Sequence, residues 1–172
     1  SGSAANLVLA FADPVTEHTG TVAITDAHNL AQLKAINEAS TGQITLEDYT
    51  VDLSGSSVDV AAALSGSFAD TYSGAVTLTD APSVAQLVTI NGNTTGAIVL
   101  DVTNGALSGS AANLVLAFAG TVTEHTGTVT ITDAPSVAQL VTINAATTGA
   151  ITLGVTNGAL SGSAANLVLA FA

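Results

Sequence analysis

The 172-residue chain contains no cysteine, no methionine and no tryptophan. Without cysteine there are no disulfides, no thiolate metal sites and no cysteine nucleophile. Positive charge is almost as scarce: Lys34 is the only Lys or Arg beside three histidines, against 13 Asp and Glu, for a net charge of −12. Nucleic acids are bound by rows of Lys and Arg that release counterions, and no such row exists. The same lack excludes attraction to anionic membrane surfaces. Long apolar runs are missing too. The best, Ala111–Ala119, is about half the roughly 20 residues a bilayer span needs and contains Asn113. Neither nucleic acid binding nor membrane insertion is therefore expected.

Catalytic signatures are also absent. No glycine-rich phosphate loop is followed by a lysine, and there is no GxSxG elbow. Charged residues make up 8% of the chain and aromatics 3%, which leaves little from which to build convergent chemistry. The chain is not expected to be an enzyme, and no cofactor is expected. Disorder requires low hydrophobicity with high charge. Here 48% of residues are hydrophobic, so the chain should fold.

What is present is repetition. The string SGSAANLVLAFA occurs at Ser1–Ala12, Ser108–Ala119 and Ser161–Ala172, with a diverged copy, SGSSVDVAAALS, at Ser54–Ser65. A second block keeps phase with it: TDAHNLAQLKAIN at Thr25–Asn37, then TDAPSVAQLVTIN at Thr79–Asn91 and Thr132–Asn144. A third block, TGQITL, TGAIVL and TGAITL, begins at Thr41, Thr95 and Thr148. The chain thus divides into units 1–53, 54–107 and 108–160 and a partial unit 161–172, forming one continuous array over 1–172. It opens and closes mid-pattern, which reads as a segment of a longer array whose targeting signals lie elsewhere.

Each unit reads as strand, helix, strand, helix. In TVTIT, Thr128–Thr132, Val129 and Ile131 alternate with threonines at period two. Asp133 suits the N-cap of the helix that follows, with Pro135 in its first turn. Val137, Leu140 and Val141 fall on one face of that helix. Ile151 and Leu153 form a second strand, and Asn157–Gly158 marks a turn. Ser161 or Ser163 caps a second helix whose Leu167, Val168, Leu169 and Phe171 leave little polar face, so it should be the more buried of the two. Strands beginning at Val22, Ile44, Val76, Ile98, Val129 and Ile151 alternate between a shorter and a longer spacing. Both spacings leave room for a helix between parallel strands with right-handed crossovers. The expected fold class is α/β: a right-handed solenoid of strand–helix units, leucine-rich-repeat-like in shape, with six strands in one continuous parallel sheet and an open rather than barrel form.

Candidate sites are few. Asp26, Asp80 and Asp133 recur after the first strand of each unit. A column of carboxylates can hold calcium, but helix capping is the plainer reading. The acids after the second strand are patchier: Glu47 and Asp48, then Asp101, then Gly154. The pairs Glu17–His18 and Glu124–His125 recur where the middle unit has Asp70–Thr71–Tyr72, and read as exposed polar loops. His28 stands where Pro82 and Pro135 stand elsewhere, which reads as drift. Thr77, Thr79, Thr128, Thr130 and Thr132 would share the outward face of the strands, the arrangement of ice-binding surfaces, although threonine is also simply a good strand former. Asn93–Thr94–Thr95 is a formal glycosylation triplet.

Runs such as GTVTITDAPSVAQLVTINAATTGAITL followed by ALSGSAANLVLAFAG resemble the long alanine- and threonine-rich arrays of giant bacterial surface proteins of the adhesin and surface-layer type. The resemblance covers the whole chain and lies in repeat texture. It implies an extracellular, cell-surface location and a structural role. The glycine- and aspartate-rich calcium nonapeptides found in some of those proteins are missing here. The leading expectation is a segment of an extracellular fibre, sheath or surface layer that self-associates into a polymer through stacked units and lateral contacts. The alternatives are the stalk of a bacterial adhesin or binding protein, and an ice- or crystal-surface-binding solenoid.

Overall fold

The computed structural model describes residues 1–12, 17–156 and 158–172; the Asn157–Gly158 turn falls partly outside them. Seven helices and eight short strands follow one another among the described residues: α1 (Ala4–Phe11), β1 (Val22–Ile24), α2 (Leu30–Glu38), β2 (Ile44–Leu46), β3 (Leu53–Gly55), α3 (Ser57–Leu64), β4 (Val76–Leu78), α4 (Val84–Asn93), β5 (Ile98–Leu100), β6 (Leu107–Gly109), α5 (Ala111–Ala117), β7 (Val129–Ile131), α6 (Val137–Ala146), β8 (Ile151–Leu153) and α7 (Ala164–Ala170). The helix starts at Ala4, Leu30, Ser57, Val84, Ala111, Val137 and Ala164 are almost evenly spaced, so each repeat unit holds two half-units with one helix each.

The fold is α/β, and every strand pairing is parallel. The sheets are β1–β2, β3–β4–β5 and β6–β7–β8, and none closes on itself. Pairing joins each strand to the matching place in the next half-unit, as in Val22↔Ile44, Leu53↔Val76 and Val76↔Ile98. Isolated bridges widen the ladders at Gly2↔Ile24, Ile44↔Phe68 and Ile98↔Val122. The six expected strands begin where the alternation placed them, but they do not form one continuous sheet. The reason is β3 and β6, which the sequence pattern left inside the unit starts. Only a short connection separates Leu46 from Leu53. A parallel neighbour requires a crossover of roughly a dozen or more residues, so β3 cannot pair beside β2 and opens a new sheet.

The helices pack in chain order, α1 on α2, α2 on α3, and so on to α7. Strand residues alternate: Val76 and Leu78 of β4 point to the core, with Thr77 half-buried between them. Leu87 and Ile90 of α4 and Leu114 and Ala117 of α5 meet them in one hydrophobic cluster that runs from Ala4 to Ala170. Burial of each such side chain contributes roughly 1.5–3 kcal/mol, and this is the term that holds the half-units together.

Helix starts differ from expectation. Ser83 and Ser136, not the aspartates, are the N-caps of α4 and α6. Each accepts from the amide of Gln86 or Gln139, whose side chain returns to the cap backbone in a capping box. Asn29 and Gln32 do the same for α2. Pro135 therefore precedes the cap instead of occupying the first turn, and it is buried. Ser163 caps α7. The SGSAANLVLAFA helices are not the more buried kind: Leu9, Leu116 and Leu169, at the same place in each copy, are 73%, 52% and 53% exposed. One flank of such a helix lies on the preceding helix and the other on the next, and this leaves the third side apolar and open.

Candidate functional site

Asp26, Asp80 and Asp133 sit in matching positions, each serving a helix other than the one it precedes. Their Oδ1 atoms accept the first-turn amides of Ala4, Ser57 and Ala111, each at 2.7 Å, in α1, α3 and α5. The carboxylate meets the positive end of a helix, where an anion is favoured and an orphan N–H needs a partner. Capping is thus the geometry observed, but it acts across half-units, on the helix one step back along the chain. Among the described residues, no group of three or more Asp, Glu or His converges as a metal site would require. Asp48 is engaged locally with the amide and hydroxyl of Thr50, which hold its carboxyl below the usual range.

The Glu–His pairs divide. Glu17 and Glu124 face solvent, whereas His125 is 2% exposed and His18 half-buried. His18, Tyr72 and His125 occupy equivalent places, each bridged in parallel to Ser40, Thr94 or Thr147. Alternation across that bridge turns one side chain of each Glu–His pair inward, so the expectation of a wholly exposed loop does not hold. His125 meets the Gly105 carbonyl at 2.6 Å through Nε2, Thr147 Oγ1 at 3.3 Å through Nδ1, and the ring of Phe118. Tyr72 donates its phenol to the Val51 carbonyl, and burial raises its pKa above the ordinary tyrosine range.

His28 is not a neutral replacement for proline. It is 5% exposed, its Nε2 lies 3.2 Å from Tyr72 Oη, and its Nδ1 has no partner among the described residues. Because Tyr72 spends its proton on Val51, Nε2 of His28 supplies the hydrogen between them. Burial holds its pKa below the ordinary value, with Asp48 and Asp26 pulling the other way.

Three recurring devices escaped the sequence reading. The buried hydroxyls of Ser40, Thr94 and Thr147 each donate to the carbonyl of the residue bridged to them and accept the amide of Gly42, Gly96 or Gly149. Those glycines are needed for close approach. A Cβ on Gly42, Gly96 or Gly149 would overlap the carbonyl oxygen of Gly20, Gly74 or Gly127. Asn37, Asn91 and Asn144 donate from Nδ2 to the carbonyls of Ala62, Leu116 and Leu169 on the next helix. Strict recurrence of Thr-Gly and of Asn at the block ends was the available signal.

The outward strand row reads Ala23 and Thr45; Ser54, Thr77 and Val99; Ser108, Thr130 and Thr152. Thr79, Thr128 and Thr132 are exposed, Thr77 and Thr130 half-buried. The threonines are thus interrupted by other residues and divided among three sheets. Asn93 of the glycosylation triplet is half-buried and donates to the Thr89 carbonyl. Lys34 pairs with Asp59 at 2.6 Å and lies 3.8 Å from Glu38 on an exposed flank. The open concavity between α6, β8 and α7, lined by Leu140, Asn144, Ile151 and Phe171 among others, holds no titratable side chain. No described helix is long and apolar enough to cross a membrane. No family model, curated protein or solved structure matches the chain.

Proposed function

We propose that this chain is a structural segment of an extracellular fibre, sheath or surface layer, in which half-units stack as an open right-handed solenoid and copies associate with one another. The observation that carries the reading is the recurrence of exposed leucine at one position of three units, Leu9, Leu116 and Leu169. Scattered exposed apolar residues are ordinary, but the same exposed leucine at one place on α1, α5 and α7, with Ala62 at that place on α3, gives elongated molecules a recurring apolar contact. Two further facts support it. Strands, helices and caps all link one half-unit to the next, so the architecture extends by addition. The aspartates that recur in every complete unit, Asp26, Asp80 and Asp133, are committed to helix starts.

The test is the assembly state of the 172-residue chain. Sedimentation velocity and electron microscopy over a concentration series should show elongated multimers. Replacing Leu9, Leu116 and Leu169 together by Ser should shift the distribution toward monomer with the helical signal retained. A wild-type chain that stays a lone monomer at high concentration would sink the proposal.

A further inference from the structure

We propose that Asn104 is a self-modification site, where the side-chain amide is lost to attack by the main chain of Gly105 and one seam of the array loosens as a result. Asn-Gly pairs occur at Asn91–Gly92, Asn104–Gly105 and Asn157–Gly158, and Asn157 lies outside the described residues. Such a pair is open to attack on its own side chain, because glycine puts no Cβ beside the attacking nitrogen. The fold places the two described pairs in opposite circumstances. Asn91 is half-buried in α4, with Nδ2 held on the Leu116 carbonyl at 2.7 Å and Gly92 inside the same helix. Asn104 is exposed in the turn between β5 and β6. Neither its side chain nor the Gly105 N–H has a hydrogen-bond partner among the described residues. One pair is locked, and the other keeps both amide and nucleophile unengaged. The first unit has Thr50–Val51 in that place and cannot react.

The step balances with water as the only co-reactant. The Gly105 nitrogen gives its proton to hydroxide and bonds to Asn104 Cγ. The Cγ–Nδ2 bond breaks, and Nδ2 leaves as ammonia with a proton taken from water. Water then opens the cyclic imide. Opening at Cγ leaves an aspartate at position 104, whereas opening at the main-chain carbonyl leaves an isoaspartate, whose backbone is one carbon longer. The contacts on either side give that carbon its effect. The Thr103 carbonyl accepts the amides of Thr126 and Gly127 at 2.9 and 3.2 Å, and the Gly105 carbonyl meets His125 Nε2 at 2.6 Å. The Asn104 carbonyl oxygen is so close that a Cβ on Gly127 would lie 2.5 Å from it. A carbon inserted between the two acceptors puts Thr103 and Gly105 out of register with Thr126 and His125. The turn is therefore a slow clock on this seam, whatever the chain assembles into.

The test keeps the full-length chain folded at mildly alkaline pH and follows it by proteolysis and mass spectrometry, with fragmentation that separates isoaspartate from aspartate. Residues 101–107 and 154–160 differ at Asp101 and Gly154, so the two turns are read apart. Asn104 should convert faster than Asn91 by on the order of tenfold or more, because α4 must open locally before Gly92 can attack. The rate should rise with pH, and in denaturant the two sites should draw level. Equal rates in the folded chain, no conversion at Asn104, or a gap that persists in denaturant overturns the site. The effect on the seam is read in an Asn157→Thr background, so that only the Asn104 turn ages. The aged chain should unfold at lower denaturant than equally aged Asn104→Thr, which carries the residue of the first unit. It should also unfold at lower denaturant than Asn104→Asp, which has the charge without the extra carbon. An aged chain that matches either variant overturns the loosening.

Discussion

At the scale of single residues, the fold depends on polar atoms placed to close a seam. Asn91 Nδ2 reaches the Leu116 carbonyl at 2.7 Å. Asn91→Ala should cost about 1 kcal/mol in denaturant unfolding, the net worth of such a bond. Two glycines separate close approach from mere flexibility. Gly96→Ala would drive a Cβ into the Gly74 carbonyl, whereas Gly92→Ala meets nothing within 4 Å. The first should cost about 3 kcal/mol or more. The second should be neutral or stabilise by roughly 0.5–1 kcal/mol, since Gly92 lies inside α4. Equal effects would contradict the packing described.

His28 gives a pH dependence with a definite sign. A buried histidine that resists protonation contributes stability present above about pH 6.5 and lost as pH falls toward its lowered value. His28→Pro restores the residue that Pro82 and Pro135 show fits there, and it should flatten the fall in stability below about pH 6.5. An unchanged slope would assign the acid sensitivity elsewhere. None of this was legible in composition. A lone histidine in place of proline looks like drift until Tyr72, distant in the chain, is found beside it.

At the scale of elements, the sequence was legible where the pattern is local. The alternation in TVTIT placed β7, and the SVAQ blocks hold the capping box that starts α4 and α6. It was misread where the partner is distant. An aspartate just before a helix looks like that helix's cap, yet Asp80 serves the amide of Ser57 in α3. Asp80→Ala should therefore reduce hydrogen-exchange protection in the first turn of α3 more than in α4, at a cost of about 0.5–2 kcal/mol. Greater loss at Val84–Leu87 would restore the local reading. The short strands β3 and β6 were invisible because Leu-Ser-Gly carries too little alternation to register. Their role follows only once Leu53 is seen paired with Val76.

At the scale of the whole molecule, repetition in the sequence foretold the parallel α/β architecture and a helix between each of the six expected strands, though not the helix-free steps from β2 to β3 and from β5 to β6. It did not foretell the half-unit, because the two helices of a unit differ in sequence while filling the same row. One hydrophobic cluster runs the length of the chain, so each half-unit is completed by its neighbours. Core truncation should consequently be felt across units: Leu87→Ala, at a fully buried position in α4, should cost roughly 2–5 kcal/mol and loosen α3 and α5 together.

Half-units that stack around a shared interior should lengthen the molecule without thickening it. Small-angle X-ray scattering, comparing this chain with one carrying an extra copy of residues 54–107, tests this most directly under conditions that keep both monomeric. Stacking predicts an unchanged cross-section with length rising in proportion to the added unit. A radius of gyration that follows the compact-globule scaling of roughly 2.2·N^0.38 Å for both chains would contradict the account.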